Sequence, residues 1–300
     1  MPQLTPSNLQ FNPFSLENTT DYKNWRDHKL SAYPRDIKSL IVSIKNPYQL
    51  TLPEKEKIST LCRQINFALY QIESDTPVAK AAIQTLAAQF GLCRLDHNLG
   101  ADDEGITALQ VVAEKPGQEY IPYTNRPINW HTDGYYNRPE QQIHAVILHC
   151  IRQAPDGGEN KLLDHEIAYI HLRDHNPGYI AALMSMEVMT IPPNIEGEIT
   201  LRSAQSGPVF SLEPGSGQLH MRYTARTKSI VWKSDAITKA ALKCLTDFCH
   251  SDSPYIFEYL LAPNQGLICN NVLHTRNGFT DGESLAQQRL LYRLRFYDRI

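Results

Sequence analysis

The stretch Asn129-Trp-His131-Thr-Asp133-Gly-Tyr135-Tyr136 places an imidazole and a carboxylate two residues apart. On a β-strand that spacing aims both side chains at one face. Such a pair is two thirds of a 2-His-1-carboxylate facial triad, which holds Fe(II) on one side and leaves the other open to a co-substrate and dioxygen. The chain has 11 histidines and 32 acidic residues among 300, so about one His-x-Asp/Glu arises by chance. The other instance, His250-Ser-Asp252, falls at the end of a helical pattern, where residues i and i+2 diverge by about 200°. It cannot share a ligand.

The third ligand has to be a distant histidine, from His144, His149, His165, His171, His175, His220, His250 and His274. His274 is the choice, since it ends the apolar run Leu267–Leu273 and precedes a strand of unusual composition. A hydrogen-bonded histidine at a strand end is the plainer alternative. In that last strand Arg289, Leu291, Arg293 and Arg295 alternate with Leu290, Tyr292, Leu294 and Phe296. If the apolar face meets helices, the arginines point inward, where an unpaired charge is costly and calls for an anion. Arg289 and Arg293 stand roughly 13 Å apart along a strand, too far to clamp one carboxylate, so two anions are expected. Arginines in water over an apolar core satisfy the same alternation. The conjunction of ligand pair, distant histidine and arginine strand favours the inward reading.

These residues need a rigid frame. From about residue 106 the chain reads as short apolar or alternating runs: 107–113, 143–151, 187–191, 209–212, 219–223, 256–261, 267–273 and 290–297. Many short strands mean a sandwich or barrel, and helical patterns at 166–184 and 235–250 interrupt the series as insertions in a jelly roll. Upstream, 53–73 and 76–90 read as helices, the second opened by Thr76-Pro77. The expected architecture is mainly β with α, one domain over 1–300, in which 1–105 forms an N-terminal extension and outer helical layer and 106–300 the core. Phe11, Phe14, Trp25 and Tyr33 in the first 35 residues are placed to cover the site or to form a subunit contact, and the sequence leaves a homo-oligomer open.

Composition narrows the function. A net charge of -3 offers no basic excess for a phosphate backbone, which argues against a nucleic-acid partner. No apolar run reaches the roughly 18 to 20 residues of a spanning helix, and the start MPQLTPSNLQ lacks the features of a signal peptide; the expectation is a cytoplasmic protein without a membrane partner. The six cysteines form no CxxC pair and read as reduced thiols. Cys244, Cys249 and His250 lie within one amphipathic helical pattern, which argues against a metal knot there.

With these residues identified, the chain resembles the TauD/TfdA-like family of Fe(II)- and 2-oxoglutarate-dependent oxygenases over roughly residues 105–299. Asn129–Asp133 is similar to that family's metal-binding stretch. The resemblance implies a double-stranded β-helix, a form of jelly roll, with His131, Asp133 and His274 as catalytic iron ligands. It implies that Arg289 pairs with the far carboxylate of 2-oxoglutarate, as a bidentate link requires, and that Asn160, where the family usually has a hydroxyl residue, adds a second contact. Arg293 matches an arginine that holds the substrate's acidic group. Arg126-Pro127 replaces the residues that hold taurine's amine, which argues against taurine. Leu219–Tyr223 and His274–Phe279 look more like the γ-butyrobetaine and glutarate hydroxylase branches, with Arg222 a second anion contact or a structural arginine. Tyr135 and Tyr136 are placed to line the substrate mouth. Thr280–Ser284 lengthens the interval from His274 to Arg289 by an inserted loop.

The activity that the resemblance implies is hydroxylation, with O2, of an unactivated C–H bond of a small anionic substrate such as a carboxylate or sulfonate, while 2-oxoglutarate becomes succinate and carbon dioxide. Two competitors stay open: a non-catalytic jelly-roll sensor of metal or small acids, and a zinc hydrolase using the same ligands, which leaves an interior Arg289 unexplained.

Overall fold

The computed structural model describes residues 11–98, 100–111, 120–197 and 199–300; the first ten residues, and Val112 and Ala113 at the end of one expected strand, lie outside the described residues. Six strands form the larger sheet, in the order Ile41–Ile44, Phe67–Ile72, Gln265–Cys269, Ala145–Arg152, Leu290–Phe296, Thr107–Leu109. Four form the smaller, in the order Ile256–Tyr259, Asn160–Leu163, Leu273–Arg276, Ile128–His131. The first two strands pair in parallel; the other pairings of these two sheets are antiparallel. The sheets make a jelly-roll core, and side chains from both line one pocket.

The segment read as a helical layer also supplies two strands. The helical pattern at 53–73 divides into the helix Leu52–Ile65 and the strand Phe67–Ile72. Thr51 and Glu54 form a capping box at its start, and Asn66, at φ 64°, ends it in the left-handed conformation that Asn tolerates better than most residues. Phe67, Ala68, Leu69 and Tyr70 are buried, so burial between neighbouring strands and the helix overrides the helical reading. The pattern at 76–90 yields a shorter helix, Lys80–Ala88, whose N-cap Ala79 makes no side-chain bond; Thr76-Pro77 is loop. The 166–184 pattern breaks at Asn176-Pro177 into His165–His175 and Pro177–Leu183, because proline's missing N–H suits a helix start and not an interior. The helix Ala236–Cys249 packs across both.

The aromatic residues near the start serve packing rather than the pocket. Phe14 stands edge-on to Trp25 and Tyr169 at 5.0 and 5.4 Å, Tyr33 stacks on Phe257, and Phe11 is exposed. No helix among the described residues is long and apolar enough to cross a membrane.

Two buried histidines make stability depend on pH. Burial lowers His149, whose Nδ1 is 3.0 Å from the Tyr70 hydroxyl, to about 4, and lowers His165 to about 3. Both folded values lie below the unfolded value of about 6.5, so the unfolded chain binds the extra protons. The stabilisation is full above about pH 6.5 and is lost as pH falls through the window down to about 4, by about 1.4 kcal/mol per pH unit for each histidine. Urea denaturation at pH 7.5 and 5.5 is expected to give a lower midpoint at 5.5; equal midpoints would contradict it.

Candidate active site

One expected strand turns out to be two, and that break builds the site. The run 267–273 leaves the larger sheet at Cys269, turns through Asn270-Asn271, and re-enters the smaller sheet as Leu273–Arg276. Asn271 makes the turn at φ 48°. His274 thereby becomes the register partner of His131 on the adjacent strand, with ring centres 4.2 Å apart.

The hydrogen bonds around both rings fix their tautomers. His131 Nδ1 is 2.9 Å from the Asn129 carbonyl oxygen and His274 Nδ1 is 3.0 Å from that of Val272. A carbonyl only accepts, so each Nδ1 carries the proton and each Nε2 keeps a free lone pair, as in metal-binding histidines. Asp133 Oδ2 is buried with no hydrogen-bond partner among the described residues and lies 3.9 Å from His274 Nε2. A buried carboxylate oxygen left this way is costly, and a cation held beside it and His274 Nε2 removes the cost. The residues present therefore fit a facial-triad metal. Burial and the neighbouring His274 lower His131 to about 3, keeping it neutral. Burial pushes Asp133 up, but the Arg293 and Arg295 guanidinium groups hold it well below the usual carboxylate range.

Asn271 also holds Asp133 in place. Its Oδ1 accepts from the Asp133 N–H at 2.8 Å, and its Nδ2 donates to the carbonyls of Asp133 and Ile143 at 3.0 and 2.6 Å. Asn271→Gly keeps the turn accessible while removing all three bonds. It is expected to lower Fe(II) affinity by about 10- to 100-fold, the range for loss of an outer-shell partner, read by anaerobic metal titration; unchanged affinity would deny Asn271 this role.

The last strand points its arginines inward, as its alternation suggested, and the protein supplies two anions itself. Arg293 Nη1 bonds Asp133 Oδ1 at 3.0 Å. Arg295 pairs with Asp96 and donates to the Tyr136 hydroxyl at 2.8 Å. Arg289 differs: the residue is 4 % exposed, and its guanidinium has no hydrogen-bond or ion-pair partner among the described residues and sits 5.0 Å from the Phe279 ring centre. Burial lowers it to about 10. The inserted loop supports this arginine, since Asp281 Oδ1 accepts from the Arg289 backbone N–H at 2.7 Å. Gly158, at φ +89°, lets the chain pass close by: an added Cβ would lie 3.2 Å from Arg289 Nε.

His131, Asp133, His274, Asn160, Arg276, Arg289 and Arg293 line one pocket with apolar Leu109, Ile128, Leu148 and Leu291. Asn160 is in place, with Nδ2 donating to the Thr275 carbonyl at 2.7 Å. Of the two readings of Arg222 the hydrogen bonds favour the structural one: Nε donates to the Tyr135 carbonyl at 2.7 Å, Nη1 to that of Met189 at 3.0 Å and Nη2 to that of Gln205 at 2.9 Å, and the residue is absent from the pocket lining. Tyr135 is also absent from that lining, and its hydroxyl accepts from Arg226 at 3.2 Å. Arg276 had no assigned role; it ties down the 121–126 loop through carbonyls including Pro122 and Thr124 at 3.1 and 2.7 Å, while burial, with Arg289 nearby, lowers it to about 9.

A family model described as taurine catabolism dioxygenase TauD, TfdA family matches residues 36–295, reaching some 70 residues further toward the start than the motifs alone suggested. A uridine-5'-phosphate dioxygenase from Amycolatopsis sp is 30% identical over 157 residues, 51% of this chain and 55% of that protein; the match spans about half the length of this relative. Among solved structures, asparagine oxygenase in complex with Fe(II), 2S,3S-3-hydroxyasparagine and succinate superposes with a TM-score of 0.59 at 16% identity, covering 82% of this chain and 80% of that one. The non-heme iron oxygenase OrfP in complex with Fe and alpha-ketoglutaric acid gives 0.60 at 13% identity, covering 83% and 81%.

Proposed function

The chain belongs to the taurine catabolism dioxygenase TauD, TfdA family, and from that premise we propose that it is an Fe(II)- and 2-oxoglutarate-dependent oxygenase of a small anionic substrate, releasing succinate and carbon dioxide. The observation that carries the proposal is that one pocket brings together His131, His274 and Asp133, whose Oδ2 is buried without a protein partner among the described residues, and the buried Arg289, whose guanidinium meets no protein carboxylate or carbonyl among them. A metal and an acidic co-substrate satisfy both. A zinc hydrolase uses the first and leaves the second without a role.

Fe(II) and 2-oxoglutarate, when bound, supply the dioxygen activation and the oxidising power. The chain's share is orientation and electrostatics. His131 and His274 present Nε2 because Asn129 and Val272 hold their Nδ1–H groups. Arg289 binds the far carboxylate of the co-substrate by a two-pronged, charge-assisted link, with Asn160 as a neighbouring contact. Leu109, Ile128, Leu148 and Leu291 exclude water around it. Arg293 gives one N–H to Asp133, and its Nε is buried without a partner among the described residues; we assign that donor to the substrate's anionic group. The relative named for uridine-5'-phosphate, a phosphate ester, supports an anionic substrate. Six free cysteines, four of them buried, support a reducing, cytoplasmic setting.

Succinate release tests the activity. Under air, with Fe(II) and 2-oxoglutarate, the wild type is expected to form succinate slowly by uncoupled turnover and faster with an accepted substrate from a panel of phosphate esters, carboxylates and sulfonates. His274→Ala should form none. Succinate formed equally by both proteins, or by neither when the wild type is iron-loaded, would overturn the proposal.

A further inference from the structure

The geometry points to a second metal site on the outer helical layer, in which His171, His175 and Cys244 hold a zinc-class divalent ion between two helices. It shares no residue with the pocket. His171 and His175 lie four apart on the helix His165–His175, the spacing that puts two side chains on one helix face. Cys244 comes from the helix Ala236–Cys249, packed against it. One donor atom from each of the three lies within 4.8 Å of the others.

The rings are arranged as ligands rather than as packing residues. His175 Nδ1 is 2.9 Å from the His171 carbonyl oxygen, so Nδ1–H donates and Nε2 keeps its lone pair, the outer-shell pattern of metal-binding histidines. His171 stacks on Phe248 at 3.9 Å and 11°, which fixes its plane, and neither of its ring nitrogens has a hydrogen-bond partner among the described residues. The Cys244 thiol is free. His171 and Cys244 are half-buried and His175 is exposed, so an ion has a path in from solvent.

The donor set selects the metal. Two imidazoles and a thiolate suit zinc in a four-coordinate site with water in the last position, whereas calcium and magnesium take oxygen ligands. A second cluster, His144, Glu213 and His220, is the weaker candidate, because Glu213 is already shared by His144 at 2.9 Å and Arg299 at 3.3 Å. The helical reading of residues 235–250 stands, and the metal partners of Cys244 lie across the helix interface rather than at Cys249 or His250. A bound ion there joins the two helices and adds its binding free energy to their docking.

Cobalt(II) is the probe, because only a thiolate ligand gives an intense near-ultraviolet sulfur-to-cobalt charge-transfer band, and the pocket triad has none. The full-length wild type and His131→Ala are both expected to show the band, and Cys244→Ser to lose it. Exposed His175→Gln, which tests a ligand without disturbing the core, is expected to weaken cobalt binding by at least about tenfold. Absence of the band at saturating cobalt, or a band that Cys244→Ser leaves intact, would overturn the site.

Discussion

Arg289→Ala is expected to weaken 2-oxoglutarate binding by about a hundredfold or more while leaving Fe(II) affinity within a factor of about two. The guanidinium is buried, and no carboxylate or carbonyl among the described residues satisfies it. A carboxylate brought to it forms a charge-assisted pair out of water, and truncating one side of such a pair costs about 2–5 kcal/mol, of which 2.7 is a hundredfold. Nothing in the metal donor set bonds Arg289, so iron should be nearly indifferent to the change. Arg289→Lys keeps the charge and loses the planar fork, and is expected to fall between the two. Equal loss of iron and 2-oxoglutarate, read by anaerobic titration of each, would remove Arg289 from the co-substrate role.

Asp133→Ala and His131→Ala should both abolish iron binding but differ sharply in stability. Asp133 Oδ1 is the carboxylate partner of Arg293 at 3.0 Å, with Arg295 at 3.7 Å. Arg295 keeps Asp96 when Asp133 is removed, whereas Arg293 is left buried with no anion. Breaking a buried pair from one side costs about 3–5 kcal/mol. His131→Ala removes a neutral ring and one hydrogen bond, with a net cost nearer 1 kcal/mol plus a modest packing loss. Urea denaturation in the presence of a chelator should place Asp133→Ala well below His131→Ala, and Asp133→Ala/Arg293→Leu should recover much of the difference. Equal midpoints for the two single variants would mean that the Arg293 pair is not a stabilising one.

The residues that the fold gathers into one pocket were legible because their chemistry is encoded by type and spacing. His131 and Asp133 share one sequence stretch, and Arg289, Arg293 and Arg295 announce themselves by charge in an apolar strand. What escaped was pairing across the chain. Arg293 and Arg295 look like free cations until Asp133 and Asp96 meet them, so the chain itself supplies a carboxylate to each. Arg222 looks like a ligand contact until distant backbone carbonyls consume its donors. Asn271 and Arg276 carry no spacing signal, since one acts through a turn and the other through loop carbonyls. The element boundaries failed where a residue tolerating positive φ, Asn66 or Asn271, switches the chain between elements inside one apolar run. A hydrophobic pattern reports burial; it does not report which sheet the chain has entered.

The most direct test is an anaerobic titration of the metal-free protein with Fe(II) and then 2-oxoglutarate, watching for the visible charge-transfer band of Fe(II) chelated by a 2-oxo acid. The account predicts the band in the wild type, its absence in His131→Ala, and a rightward shift of the 2-oxoglutarate titration in Arg289→Ala. A folded, iron-loaded wild type that gives no band at saturating 2-oxoglutarate would contradict it.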